Sequence, residues 1–155
     1  MGNIKLICDV KAEWLDYNGH MNDAEYARVF SHAVEELMIT IGIDEAFRQE
    51  FKYSIFTLET HICYLAEAHK GETLSVSYHL LDHDEKRLHV FFTMQNSSGE
   101  ELATSEQMLM GMDMKAGRPG SFPELMKQKI ETIVKEQADL SVPQKVGSKI
   151  GIRRK

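Results

Sequence analysis

The sequence predicts an α+β domain built from one strand, one long helix and four further strands, on three observations. Residues 23–41 carry apolar side chains at helical spacing, four later segments read as strands, and the stretches joining those strands are short and rich in turn residues. At 155 residues, 43% of them hydrophobic, the chain is long enough for one core and too short for two sizeable domains.

Each element has its own warrant. Residues 4–10 place Ile4, Leu6, Cys8 and Val10 two apart, the period of a half-buried strand. The stretch E-W-L-D-Y-N-G-H-M-N, residues 13–22, predicts a loop by its Asp, Asn and Gly content. Across 23–41, Ala27, Phe30, Val34, Leu37 and Ile41 make one apolar face, and Glu25, Arg28, His32, Glu35 and Glu36 lie opposite. Asn22 with Glu25 three residues on is a capping pair, and Gly42 a natural stop. A short helix follows at 44–50. Strands are predicted at 54–66, 73–81, 88–95 and 102–114, joined as an antiparallel meander. Gly117, Pro119, Gly120 and Pro123 break the pattern before a surface helix at 124–135. The reading is therefore one domain over 1–136 and a basic tail over 137–155. A sheet of about five strands with one helix to cover it leaves an open edge, so a homo-oligomer, dimer or tetramer, is expected.

Charge narrows the partners. The net charge is −6, but Lys145, Lys149, Arg153, Arg154 and Lys155 all follow Leu140, leaving 13 basic against 24 acidic groups, a net of −11, in residues 1–140. Such a body repels nucleic acid, and only the tail attracts phosphate. No apolar run approaches the ~20 residues that span a bilayer. The first residues lack a signal-peptide pattern, and Cys8 and Cys63 sit in apolar segments, so a reduced, cytoplasmic protein is expected.

The segment D-Y-N-G-H-M-N-D-A-E-Y, residues 16–26, carries the chemistry. It sets a carboxylate, Asp16, in a glycine-containing loop just ahead of a long helix, where free N–H groups and the positive end of the helix dipole collect. That combination suits acyl transfer: the helix N–H groups stabilise an oxyanion, one such donor being worth roughly 3 kcal/mol, and Asp16 activates water or attacks the carbonyl. The plainer alternative is that Asp16, Asn18 and Asn22 only build turns and a helix cap.

The same segment resembles the loop and helix start of hotdog-fold acyl-CoA thioesterases of the 4-hydroxybenzoyl-CoA thioesterase type. The likeness extends through E-T-H-I-C-Y-L-A-E at 59–67 with Gly71, H-D-E-K-R-L-H at 83–89 and L-A-T-S-E-Q-M-L at 102–109. With Trp14 and Ile150-Gly-Ile152 it looks closest to the branch associated with betainyl-CoA hydrolysis. The resemblance implies an antiparallel sheet of about five strands wrapped around one long helix, and hydrolysis of a short polar acyl-CoA, betainyl-CoA first, to free acid and CoA. The alternatives are a thioesterase for an aromatic or medium-chain acyl group, or a hotdog module that binds acyl-CoA without turnover. Retention of Asp16 argues against the last.

Carried onto this sequence, the resemblance makes Asp16 the catalytic carboxylate and the backbone N–H of Asp23 the oxyanion donor. An acidic side chain at 23, where many relatives are aromatic or apolar, must turn away from that oxyanion. Asn18 and His20 either orient Asp16 or the water, or, for His20, contact the acyl group or pack beneath the loop. Glu59 and His61 alternate onto a strand face shared with Thr57 and Cys63, either lining a partner subunit's cleft or forming a solvated face. A trimethylammonium group needs aromatic faces or a carboxylate, which points to Trp14, Tyr17, Tyr53, Phe56 and Glu59. Lys86 and Arg87, with Arg118 and the tail, are the cations for CoA phosphates. No cofactor is needed beyond the CoA of the substrate. No metal is expected, since His79 and His83 fall across a strand end. Met108, Met110, Met112 and Met114 form a period-two stripe that fills a core or interface or, alternatively, lines an acyl channel, and Gly111 on the opposite face permits close backbone approach.

Overall fold

Strand β1, Asn3–Asp9, opens the chain in a computed structural model that describes residues 3–154. A single 3-10 turn at Ala12–Trp14 leads into the loop before helix α1, Asp23–Thr40. A short helix α2, Glu45–Phe51, follows, capped by Asp44, whose Oδ1 accepts the Phe47 N–H at 2.8 Å. Strands β2 (Tyr53–Tyr64), β3 (Thr73–His83), β4 (Arg87–Gln95) and β5 (Glu101–Asp113) then run in succession. Two residues, Arg118–Pro119, form β6 before helix α3, Glu124–Glu136. Predicted bounds and observed ones differ by two residues at most, except that the 3-10 turn at Ala12–Trp14 and β6 were not foreseen.

All pairings are antiparallel, in the order β1-β3-β4-β5-β2, with β6 beside β5. The predicted meander holds only for β3, β4 and β5. Strand β2 lies at the far edge against β5, and the 65–72 connection carries the chain back across to β3. Turn chemistry shows that two strands are joined, but which edge a strand takes is decided by what must be covered, here α1.

The covering is visible in the core. Val29, Phe30, Ala33 and Leu37 of α1 are buried against Leu74, Val76, Leu88, Val90, Phe92 and Met94 of the sheet, with the Phe30 and Phe92 rings 6.4 Å apart. Each Val, Leu, Phe or Met side chain so buried contributes about 1.5–3 kcal/mol relative to exposure. Ala27, assigned to the apolar face from spacing, is exposed; Val29 and Ala33 take that role.

Register sorts the strand residues by face. Thr57 sits opposite Leu109 whereas Glu59 sits opposite Met108, so the chain bulges at Leu58. The bulge puts Thr57 on the helix side and turns Glu59, His61 and Cys63 outward, so Thr57 does not share their face as alternation alone predicted. Met108, Met110 and Met112 share that outer face and are half-buried, and Met114 is exposed. On the inner side Gly111 lies under Tyr53: an added Cβ would overlap the Tyr53 hydroxyl and come 3.0 Å from the Gly120 carbonyl, which that hydroxyl bonds at 2.8 Å.

Past α3 the chain is irregular but not loose. The buried Gln137 side chain accepts the Leu80 N–H at 2.8 Å and donates to the Tyr78 carbonyl at 3.1 Å, filling the edge of β3 beyond the start of β1. Asp139, Leu140 and Pro143 line a cavity with Ser77, His79 and Phe91 on the outer face. Farther on, the Gly147 N–H donates to Glu106 Oε1 at 2.7 Å. No helix among the described residues is long and apolar enough to cross a membrane.

Candidate active site

Asp16 is aimed by its own loop. Its N–H donates to the His20 carbonyl at 2.8 Å and its carbonyl accepts the Gly19 N–H at 3.0 Å, with Gly19 at φ +79°, a left-handed conformation that glycine adopts without strain. Asp16 Oδ1 accepts two more N–H groups, from Asn18 at 2.8 Å and His20 at 3.1 Å. Oδ2 has no partner among the described residues. The loop is closed at its base by the Leu15–Met21 bridge and the Asn22 N–H to the Trp14 carbonyl at 2.9 Å, with the Trp14 ring buried beneath.

Helix α1 begins at the foot of this loop. Asn22 Oδ1 accepts the Ala24 N–H at 3.0 Å, the predicted cap. The reciprocal half of the pair is absent: the Asn22 N–H is taken by Trp14, and Glu25 instead binds Arg28 Nε at 2.8 Å. The Asp23 carboxylate folds back on its own helix, its Oδ1 accepting the Ala24 N–H at 3.0 Å. The Asp23 N–H itself has no partner among the described residues, leaving a free donor at the positive end of α1 seven residues beyond Asp16.

The crossover 65–72 forms the second wall. Its Ala68 carbonyl accepts the Met21 N–H at 3.0 Å and its Ala68 N–H donates to the Tyr26 hydroxyl at 3.0 Å; burial pushes the pKa of that hydroxyl up. Tyr64 donates to the Asp23 carbonyl at 3.2 Å and packs edge-on to Tyr26. His20 and His69 face each other across a backbone bridge, with His20 Nε2 3.2 Å from Glu67 and His69 Nδ1 2.9 Å from Glu72. The His20 ring thus turns to Glu67 and His69, and its link to Asp16 runs through the backbone N–H rather than the imidazole. Asn18 likewise meets Asp16 through its N–H. Sequence reading missed Glu67, His69 and Glu72, because only the crossover, a long-range feature, brings them to the loop.

The remaining candidates are spread out. Tyr64 marks the end of β2 at the Asp16 loop, and at about 3.3 Å per residue Tyr53 lies some 36 Å back along the strand, Phe56 about 26 Å and Glu59 about 17 Å. Trp14 is core and Tyr17 is 97% exposed, so the four aromatic residues do not form a cage within one chain. Tyr53 is buried with its hydroxyl on Gly120, and that burial raises its pKa. Glu59 and His61 share a cavity of about 220 Å³ with His89, Glu106 and Gly147, where His89 Nε2 lies 2.7 Å from Glu106. His89 was not singled out from sequence; its outward register opposite Met108 is the signal. Arg87 is engaged by Asp84, Nε to Oδ2 at 2.7 Å, and this bond with the Lys86 and Arg87 N–H groups holds the Asp84 carboxyl down to about 2. Lys86 is exposed beside it.

A curled antiparallel sheet around one helix, with a carboxylate loop at the helix N-terminus, is the hotdog-type arrangement. The chain belongs to the thioesterase-like superfamily, whose family profile matches residues 10–130. It is 40% identical over 144 residues to the betainyl-CoA thioesterase of Pseudomonas aeruginosa, covering 92% of this chain and 91% of that protein. It is 37% identical over 155 residues to the L-carnitine dehydrogenase/betainyl-CoA thioesterase of Rhizobium meliloti, covering 99% of this chain but only 31% of that longer protein. Among solved structures, a Staphylococcus aureus protein in complex with CoA superposes with a TM-score of 0.93 at 33% identity, over 99% of this chain and 98% of that one.

Proposed function

We propose that this protein hydrolyses betainyl-CoA to betaine and CoA. The observation that carries the chemistry is the unpartnered Asp23 N–H at the head of α1, beside a loop that leaves one Asp16 oxygen free. The thioester carbonyl oxygen accepts the Asp23 N–H as negative charge develops on it. Asp16 Oδ2 either takes a proton from the attacking water or attacks the carbonyl itself and is freed by water in a second step. Either route consumes one water, breaks the C–S bond and delivers the proton to the CoA sulfur, so no cofactor enters.

The acyl group is inferred from the Pseudomonas aeruginosa relative, which aligns over nearly both whole chains. The net charge of −11 on residues 1–140 favours a cationic acyl group over an anionic one. Glu59 and Phe56 lie too far along β2 to reach the Asp16 of their own chain, so the cleft is completed by a second copy in a homo-oligomer, working in the cytoplasm. Exposed Lys86 and the tail cations remain the groups for CoA phosphates, with Arg87 already committed to Asp84. The test is a panel of betainyl-, acetyl-, aromatic and medium-chain acyl-CoAs followed by thiol release. Highest kcat/KM for betainyl-CoA supports the assignment, and preference for an aromatic or medium-chain substrate replaces it.

A further inference from the structure

We propose that His20, Glu67 and His69 form a binding site for a divalent transition metal of the zinc class, one that ties the Asp16 loop to the 65–72 crossover. One ligand atom from each of the three residues lies within 4.8 Å of the others. Two imidazoles and one carboxylate make a His2Glu set, a recurring three-ligand arrangement for zinc that keeps a fourth position open. Side-chain exposures of 36%, 62% and 55% leave that position facing solvent.

Three features distinguish the cluster from a chance meeting of surface groups. First, the backbones that carry the ligands are fixed: His20 and His69 are paired in a bridge, Met21 bonds Ala68, and Ala68 is buried and bonded to Tyr26. Second, His69 Nδ1 is held by Glu72 Oε1 at 2.9 Å. That outer carboxylate fixes the tautomer and leaves the lone pair on Nε2, the pattern found behind metal-bound histidines. Third, Glu72 Oε2 is buried without a hydrogen-bond partner among the described residues. A carboxylate kept there needs a countercharge, and a metal-bound His69 supplies one through the ring. Ligand atoms around a tetrahedral zinc sit about 3.4 Å apart, given bonds of about 2.1 Å. The His20–Glu67 separation of 3.2 Å already fits, and the His69 ligand atom, within 4.8 Å of both, closes the set by a side-chain movement.

The metal replaces the direct His20–Glu67 contact and links residue 20 to residues 67 and 69, so loading stiffens the loop that aims Asp16. The role is one of positioning, and the thioesterase reading stands or falls separately, on thiol release by the metal-free protein.

The experiment titrates the full chain with Zn2+ by calorimetry and with Co2+ by its ligand-field absorption, beside His69→Ala and Glu72→Gln. Expected is one ion per chain, a Co2+ spectrum of low-coordinate type, a rise in Tm on loading, and affinity lower by at least tenfold in His69→Ala and by about 10–100-fold in Glu72→Gln. Absence of stoichiometric binding, or His69→Ala binding as tightly as the unmodified chain, overturns the site. His69 is exposed, so the variant folds, and its unchanged melting without metal serves as the control.

Discussion

Replacing Asp23 by proline removes the proposed oxyanion donor while leaving the helix in place. Asp23 is the first residue of α1, the position where proline is favoured because its N–H has no helical partner. The preceding Asn22 already sits at φ −62° and ψ 142°, the extended region that a following proline requires. Because the Asp23 N–H has no partner among the described residues, folding loses no hydrogen bond. The Asp23 carboxylate does go, but Ala24 N–H keeps the Asn22 side chain as acceptor, so the stability change stays within about 1 kcal/mol, the worth of an acidic residue in a first helical turn. Loss of one oxyanion donor lowers kcat by about 10²–10³-fold, or 2.7–4 kcal/mol. Asp23→Ala is the matched control: it deletes the same carboxylate and keeps the N–H. Steady-state thiol release for both variants, with melting curves, gives the comparison. A proline variant within a few-fold of the alanine variant would refute the reasoning and move the oxyanion site elsewhere.

Two other perturbations probe the scaffold. Gly111→Ala pushes a methyl group into the Tyr53 ring and its bond to Gly120; overpacking of about 1–3 kcal/mol lowers Tm by roughly 2–4 °C per kcal/mol for a chain of this size, and adding Tyr53→Phe recovers part of the loss, which differential scanning calorimetry resolves. His79, under the tail on the outer face, has its pKa lowered by burial, which disfavours the charged ring. The unfolded chain protonates near pH 6.5 and the folded one only at lower pH, so stability declines as pH falls below about 6.5 and is indifferent to His79 above it. Urea unfolding against pH shows this slope, and it flattens in His79→Gln.

Most of the fold was legible because its signals are local. The 3.6-residue recurrence through Phe30, Val34 and Leu37, the cap at Asn22 and the stop at Gly42 need only neighbours in sequence, and the structure places α1 within a residue of that reading. The same holds for β3, β4 and β5, which are joined by short turns. Sheet order was not legible, because β2 pairs with β5 across a connection whose path is set by covering α1. The bulge at Leu58 likewise leaves no mark in the alternation of polar and apolar residues, yet it decides that Thr57 faces the helix and Glu59 does not. At the candidate site, the placement of Asp16 just ahead of the Asp23 helix start was legible because loop and helix start are contiguous. The crossover residues Glu67, His69 and Glu72 were not, and neither was the burial of Trp14 or the solvent position of Tyr17, since a side chain's surroundings depend on the whole fold.

The most direct test of the account is betainyl-CoA hydrolysis by Asp16→Asn beside the unmodified chain. The amide oxygen of asparagine can still accept the Asn18 and His20 N–H groups, so the loop keeps its shape while the reactive carboxylate oxygen is lost. The account predicts an unchanged Tm and a fall in kcat of at least about 10²-fold. Turnover near that of the unmodified chain, with Tm unchanged, would contradict the role of Asp16 and with it the proposed chemistry.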